Sequence, residues 1–177
     1  MQWTIDGIHS SIEFGIKHMG ISTVRGRFRE FSGAVDLDDG GGFRGVEATI
    51  AAKSIDTGVG QRDDHLRSTD FFDVERFPSI VFQSTRVERL AEGRYRVDGH
   101  LTMHGHTQPV TFEVEAAEPV RDPWGNQRVA ASVTGKLNRK AWGLTWNQLL
   151  ELGALMVGED VTFTFDVEAV APQPATV

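Results

Sequence analysis

VTFTFDVEAV, residues 161–170, alternates without a break: Val161, Phe163, Phe165, Val167 and Ala169 fall on one face, and Thr162, Thr164, Asp166 and Glu168 on the other. Successive strand side chains point to opposite faces, so this is a strand with one face dry and one wet. The same period recurs back through the chain. Leu137, Gly135, Val133, Ala131 and Val129 share a face, as do Ala116, Val114, Phe112 and Val110. Met103, Leu101, Gly99, Val97 and Tyr95 alternate with polar residues. Residues 79–89 carry Ile80 and Phe82 on one side, Val81 and Val87 on the other. Val46, Ala48, Ile50 and Ala52 form a further set, and Ile12, Phe14 and Ile16 another, with His18 in phase.

Residues 22–38 read in two phases. Val24, Gly26 and Phe28 are even-numbered; Phe31, Gly33, Val35 and Leu37 are odd-numbered. A period-two strand changes phase only by gaining a residue, which predicts a β-bulge or sharp bend near residues 29–31. Asp39-Gly40-Gly41-Gly42, Gly93, His104-Gly105-His106 and residues 122–126 supply turns. Counting 22–38 as one bent strand gives eight strands joined mostly by short turns. The expected fold is all-β, an eight-stranded antiparallel up-and-down barrel of lipocalin-like type, with a sandwich as the competing arrangement. Small inward positions (Gly26, Ala48, Ala52, Gly99, Ala131, Gly135) favour an apolar cavity over a filled core.

Two segments break the alternation. GVGQRDDHLRSTDFFDVERFP, residues 58–78, predicts a helix over about 60–68 and a turn or second short helix over 70–75, ended by Pro78. Residues 138–158 hold Trp142, Trp146 and Leu149 among glycines. Both are long and apolar enough to cap a barrel end. A hydrogen-bonded wall would not admit a long chain, so entry is expected at an end.

The chain has 177 residues, no cysteine and a formal net charge of −7. Residues 1–171 read as a single domain and 172–177 as a frayed tail. The acidity disfavours nucleic acid, and no apolar run would insert stably into a membrane. The N-terminus shows no basic region followed by an apolar run, so a cytoplasmic protein is expected, or a periplasmic one if a leader was removed. Asp63, His65 and Arg67 read either as an acid–base or anion-binding group or as an ion-paired loop. His100, His104 and His106 lie at a strand end and hairpin without a carboxylate at ligand spacing, and no metal is expected there. There is no Gly-x-Ser-x-Gly elbow and no cysteine nucleophile.

Several runs together resemble the YceI-like, polyisoprenoid-binding family. They are Trp3-Thr4-Ile5-Asp6 with His9-Ser10, Val24-Arg25-Gly26-Arg27-Phe28, Ser54-Ile55-Asp56-Thr57-Gly58, Arg62-Asp63-Asp64-His65-Leu66-Arg67-Ser68, Asp70-Phe71-Phe72-Asp73, Gly99-His100-Leu101-Thr102-Met103-His104-Gly105, and Asn138-Arg139 with Trp142-Gly143-Leu144 and Trp146-Asn147. The resemblance spans about residues 3–170. It implies a barrel that holds a long isoprenoid chain, often in a homodimer, with no catalytic residue and no cofactor beyond the bound lipid. The expected lining is Ile12, Phe14, Ile16, His18, Val24, Phe28, Ile50, Phe82, Val97, Leu101, Phe112, Val114, Val133, Leu137, Trp142, Trp146, Leu149, Phe163 and Phe165. The expected head-group or mouth residues are Arg62, Asp63, His65, Arg67 and Arg139. The expected function is a non-catalytic carrier for a polyprenyl or quinone-precursor amphiphile in isoprenoid quinone metabolism, transport or storage. An enzyme acting on an apolar substrate at the mouth, and a filled structural barrel, are the alternatives.

Overall fold

The computed structural model describes residues 1–151 and 153–172, so residues 173–177 of the expected tail lie outside the described residues. Twelve strand segments form the sheet: β1 (Gln2–Ile5), β2 (Ser11–His18), β3 (Ser22–Phe28), β4 (Phe31–Leu37), β5 (Phe43–Ala51), β6 (Ile55–Asp56), β7 (Ser79–Ala91), β8 (Arg94–Met103), β9 (His106–Ala116), β10 (Val120–Arg121), β11 (Gln127–Asn138) and β12 (Val157–Val170). Helix α1 spans Gly60–Arg67, and 3₁₀ turns occupy Ala52–Ser54 and Arg139–Trp142.

Three pairs of segments are halves of single strands. β1 and β2 lie end to end along β12, through Ile5↔Ala169 and Ile12↔Phe165. β4 pairs with β1 and β3 with β2; β5 pairs with β4 and β6 with β3. With β7, β8, β9, β11 and β12 this makes eight antiparallel strands in chain order; β11 pairs with β12 from Asn138↔Asp160 to Arg128↔Val170, and the ring closes where β12 meets β1 and β2. The break between β3 and β4 falls at Arg29 and Glu30, where the backbone bonds instead to Ser54 and Ala51. That is the extra length the phase change requires.

One detail differs from expectation. Val87 packs inside with Tyr95, Val97 and Val114, because a register shift between Ser84 and Arg86 returns it to the inner face. Of the two arrangements expected over 70–75, the structure takes the turn: residues 68–76 form consecutive turns, Asp73 is left-handed (φ 46°) and its backbone carbonyl accepts from Arg76 and Phe77.

The ends of the barrel differ. At one, Trp3, Ile5, Val35, Leu37, Val129 and Ala169 close the interior. Outside them Arg128 donates to Asp122 and Asp6 at 2.9 Å each and to Glu168 at 2.5 Å. At the other end, both irregular segments meet: Trp146 lies 4.8 Å from the His65 ring and 5.1 Å from the Phe71 ring, centroid to centroid.

Candidate functional site: the barrel cavity

The barrel encloses a cavity of about 400 Å³. Its wall is built by the strand alternation. β2 contributes Ile12, Phe14, Ile16 and His18; β3 contributes Val24 and Phe28; Ile50, Phe82, Val97 and Leu101 follow from β5, β7 and β8. Phe112 and Val114 of β9, Val133 and Leu137 of β11, and Phe163 and Phe165 of β12 complete the expected lining, with Trp146 at the mouth. The wall also takes Ile5, Phe31, Val46, Ala48, Val161 and Val167, which lie on the same alternating faces. Leu66, Phe71, Phe72, Leu144 and Met156 come from the irregular segments, where no period announces direction, and Ile55 from the two-residue β6.

The inward glycines are not open space. A Cβ on Gly26 would come 2.5 Å from Phe14, on Gly99 2.6 Å from Phe82, and on Gly135 2.5 Å from Phe163. In each case a phenylalanine ring from a neighbouring strand lies across the glycine. A side chain at any of these glycines would displace the ring, so each glycine makes room for its neighbour's phenylalanine.

Two expected lining residues lie elsewhere. Trp142 is 3% exposed but stands behind the wall, its indole Nε1 donating to Leu101 O at 2.9 Å. A buried indole N–H must find an acceptor, and the nearest was backbone on β8. Leu149 is 70% exposed and faces solvent, because its segment folds back on itself through a bridge to Leu155.

The mouth residues also divide. Arg62, His65 and Arg139 line the cavity; Asp63 and Arg67 do not. Asp63 is buried and accepts from Thr57 N at 2.9 Å and Thr57 Oγ1 at 2.6 Å, fixing the first turn of α1 to the chain before it. Arg67 donates to Lys53 O and Ile55 O and reaches Asp64 at 3.1 Å. His65 Nε2 meets Asp70 at 2.8 Å. Asp63, His65 and Arg67 thus have separate partners, and their arrangement is that of a loop anchored to the barrel.

The wall is not laddered all the way round. β9 and β11 share only Ala131↔Ala116, Ser132↔Glu115 and Val133↔Val114. Beyond Val133 the strands diverge around an outer cleft of about 760 Å³, whose lining includes Gln108, Val110, Thr134, Gly135, Lys136 and Trp142. Gln108 Nε2 spans its end, donating to Ala141 O at 2.9 Å. Phe112, Leu137 and Phe163 face both cleft and cavity, with the Phe112 and Phe163 rings 5.4 Å apart. The sealed wall assumed in restricting entry to an end is therefore interrupted at this seam.

Among the described residues one group could offer three metal ligands, Asp6, His9 and Glu168. Arg128 already donates to both carboxylates, so a guanidinium occupies the ground a cation would need. His104 and His106 are spent on backbone carbonyls, of Trp142 and His104 respectively.

The model of the YceI-like domain matches residues 3–169. The chain belongs to the YceI-like family. UPF0312 protein SAB2563 of Staphylococcus aureus (strain bovine RF122 / ET3-1) is a relative 40% identical over 169 residues, 94% of this chain and 95% of the relative. Among solved structures, the barrel superposes on Burkholderia cenocepacia BcnA with a TM-score of 0.80 at 22% identity, over 93% of this chain and 99% of that one. The Campylobacter jejuni YCEI protein gives 0.76 at 26% identity, over 89% and 90%. A polyisoprenoid binding domain from Saccharophagus degradans gives 0.73 at 15% identity, over 96% and 98%. At these lower identities the likeness is one of fold. The YceI-like barrel is thus an eight-stranded antiparallel container with an apolar interior.

Proposed function

We propose that this protein is a non-catalytic binding protein that holds the apolar chain of an isoprenoid lipid inside the barrel. One observation carries the reading: an enclosed cavity lined by phenylalanine and branched aliphatic side chains from all round the barrel, with polar groups gathered at one end. Its volume falls within the range of small-molecule sites. The likeness to the polyisoprenoid binding domain of Saccharophagus degradans and membership of the YceI-like family support the choice of chain.

Each buried CH₂ contributes about 0.8 kcal/mol relative to water. A chain of dozens of carbons is never free in water, so the working equilibrium runs between barrel and membrane. There the difference is small and exchange is possible, which suits a carrier. A chain longer than the cavity would leave part of itself at the mouth or in the seam.

The test is a transfer series. Prenyl alcohols of increasing length are offered to the purified protein from vesicles, and bound lipid is read by native mass spectrometry. Uptake should rise with isoprene number and level off once the interior is full. Flat uptake across the series, or turnover of the bound lipid, would overturn the reading.

A further inference from the structure

The open end of the barrel carries an apolar rim that no packing covers. The turn joining β2 to β3 presents Met19 and Ile21 to solvent, Ile21 at 79% exposure. Met19 has a left-handed backbone (φ 51°), a position that glycine or asparagine usually fills. Its N–H donates to Met156 O at 2.8 Å, and Met156 N donates to Gln148 O at 2.9 Å. The turn therefore lies against the segment in which Leu149 bridges to Leu155, both exposed. Val59 is exposed too; it follows β6, which runs alongside β3, and stands at the start of α1.

Each member of this rim stands next to the cavity. His18, Met156 and Arg62 line the interior, and close to them in the chain are Met19, Leu155 and Val59. The exposed apolar surface and the apolar interior are thus continuous across the mouth. Exposed charge on the same rim is of both signs, Lys17 on β2 and Glu151 beside Leu150. Single apolar side chains scattered over a protein surface are ordinary, but a group of them about one opening marks a contact surface.

We propose that the rim of Met19, Ile21, Val59, Leu149 and Leu155 docks the barrel mouth on the surface of a zwitterionic lipid bilayer. The proposal rests on the isoprenoid-binding reading and adds the surface from which the chain is collected. Every CH₂ that crosses water raises the barrier to transfer, so a mouth seated on the membrane shortens the wet path. Apolar loop tips enter the headgroup region while charged side chains stay at the water boundary, which is the arrangement of an interfacial protein. No helix among the described residues is long and apolar enough to cross a membrane. The mixed charge of Lys17 and Glu151 matches the paired charges of a zwitterionic headgroup, and the net charge of −7 opposes a strongly anionic surface. A second copy seated on the same rim would instead close the mouth over its contents.

The test uses the full chain and phosphatidylcholine vesicles, with and without geranylgeraniol. The parent is compared with Ile21→Ser/Leu149→Ser at the rim and with Val120→Ser/Trp124→Ser, exposed apolar residues beside Arg128 and Asp122 at the closed end. The parent should sediment with geranylgeraniol-free vesicles and take up geranylgeraniol at a rate that rises with vesicle concentration. The rim variant should lose vesicle binding and transfer rate by about tenfold or more. It should still reach the same plateau of bound lipid, because docking changes the path and not the two end states. The closed-end variant should match the parent. Equal rates and equal sedimentation across the three overturn docking and, with uptake intact, leave the isoprenoid reading standing. No uptake by the parent, with rim-dependent sedimentation, overturns that reading and leaves docking standing. Rim-dependent self-association in sedimentation velocity, without vesicle binding, assigns the rim to a second copy and overturns the proposal. Should the double rim variant fail to fold by circular dichroism, Ile21→Ser decides alone: unchanged binding and rate overturn the proposal.

Discussion

Phe163 lies across Gly135, its directly paired residue on the neighbouring strand, so closely that a methyl group on the glycine would sit 2.5 Å from the ring's Cζ. The same ring faces both the cavity and the outer cleft. Gly135→Val should therefore drive the ring off the wall. We expect a loss of about 1–3 kcal/mol, the usual range for overpacking, and reduced lipid uptake, read by urea denaturation and the transfer assay. A variant as stable as the parent would show that the ring has room to move.

Phe163→Arg places an unpaired charge in an apolar interior, which is expensive. Lipid uptake should be lost, with a large fall in thermal midpoint. Thr164→Arg, the next residue, points outward between Glu13 and Thr134 and should change neither by much. Equal behaviour of the two would mean the last strand is out of register.

Tryptophan emission should report ligand through one residue. Trp146 lines the cavity, whereas Trp142 stands behind the wall, Trp3 lies at the closed end and Trp124 is 82% exposed. Trp146→Phe should abolish the lipid-dependent change, and Trp124→Phe should keep it. Trp142→Phe should keep it too, at some cost in stability from the lost hydrogen bond to Leu101 O. A full signal from the Trp146→Phe protein would move the ligand away from the mouth.

The Arg128 cluster should make stability fall in acid. Hydrogen bonds from His9 and Arg128 hold Asp6 well below the usual carboxylate range, and those from Arg128 and Asn126 do the same for Asp122. A carboxylate depressed in the folded state adds stability above its unfolded value, about 3.9, and loses it as pH falls toward the folded value. Arg128→Met should thus lower the urea midpoint at pH 7, and the gap from the parent should narrow below about pH 4. Parallel curves at all pH values would show that the cluster contributes no acid sensitivity.

The eight strands, their facing and the bend near Arg29 were legible in sequence because a two-residue period reports direction without reference to any partner. The same period located most of the lining, from Ile12 to Phe165. It failed at Val87, where an extra residue between Ser84 and Arg86 resets the phase with no sequence mark. In the irregular segments no period exists, so chemistry alone could not tell a lining tryptophan, Trp146, from a buttressing one, Trp142. That was decided by where Leu101 O lay to receive an indole N–H. Nor could composition show that Gly26, Gly99 and Gly135 would each lie under a ring, since the ring comes from another strand. The charged residues of 62–67 read as one group because they are adjacent in the chain. Tertiary structure separated them, turning Asp63 to Thr57 and Arg67 to the backbone of Lys53 and Ile55, and leaving Arg62 and the distant Arg139 on the cavity. Spacing along a strand fixes which face a side chain shares; which partner it meets depends on chain brought from elsewhere.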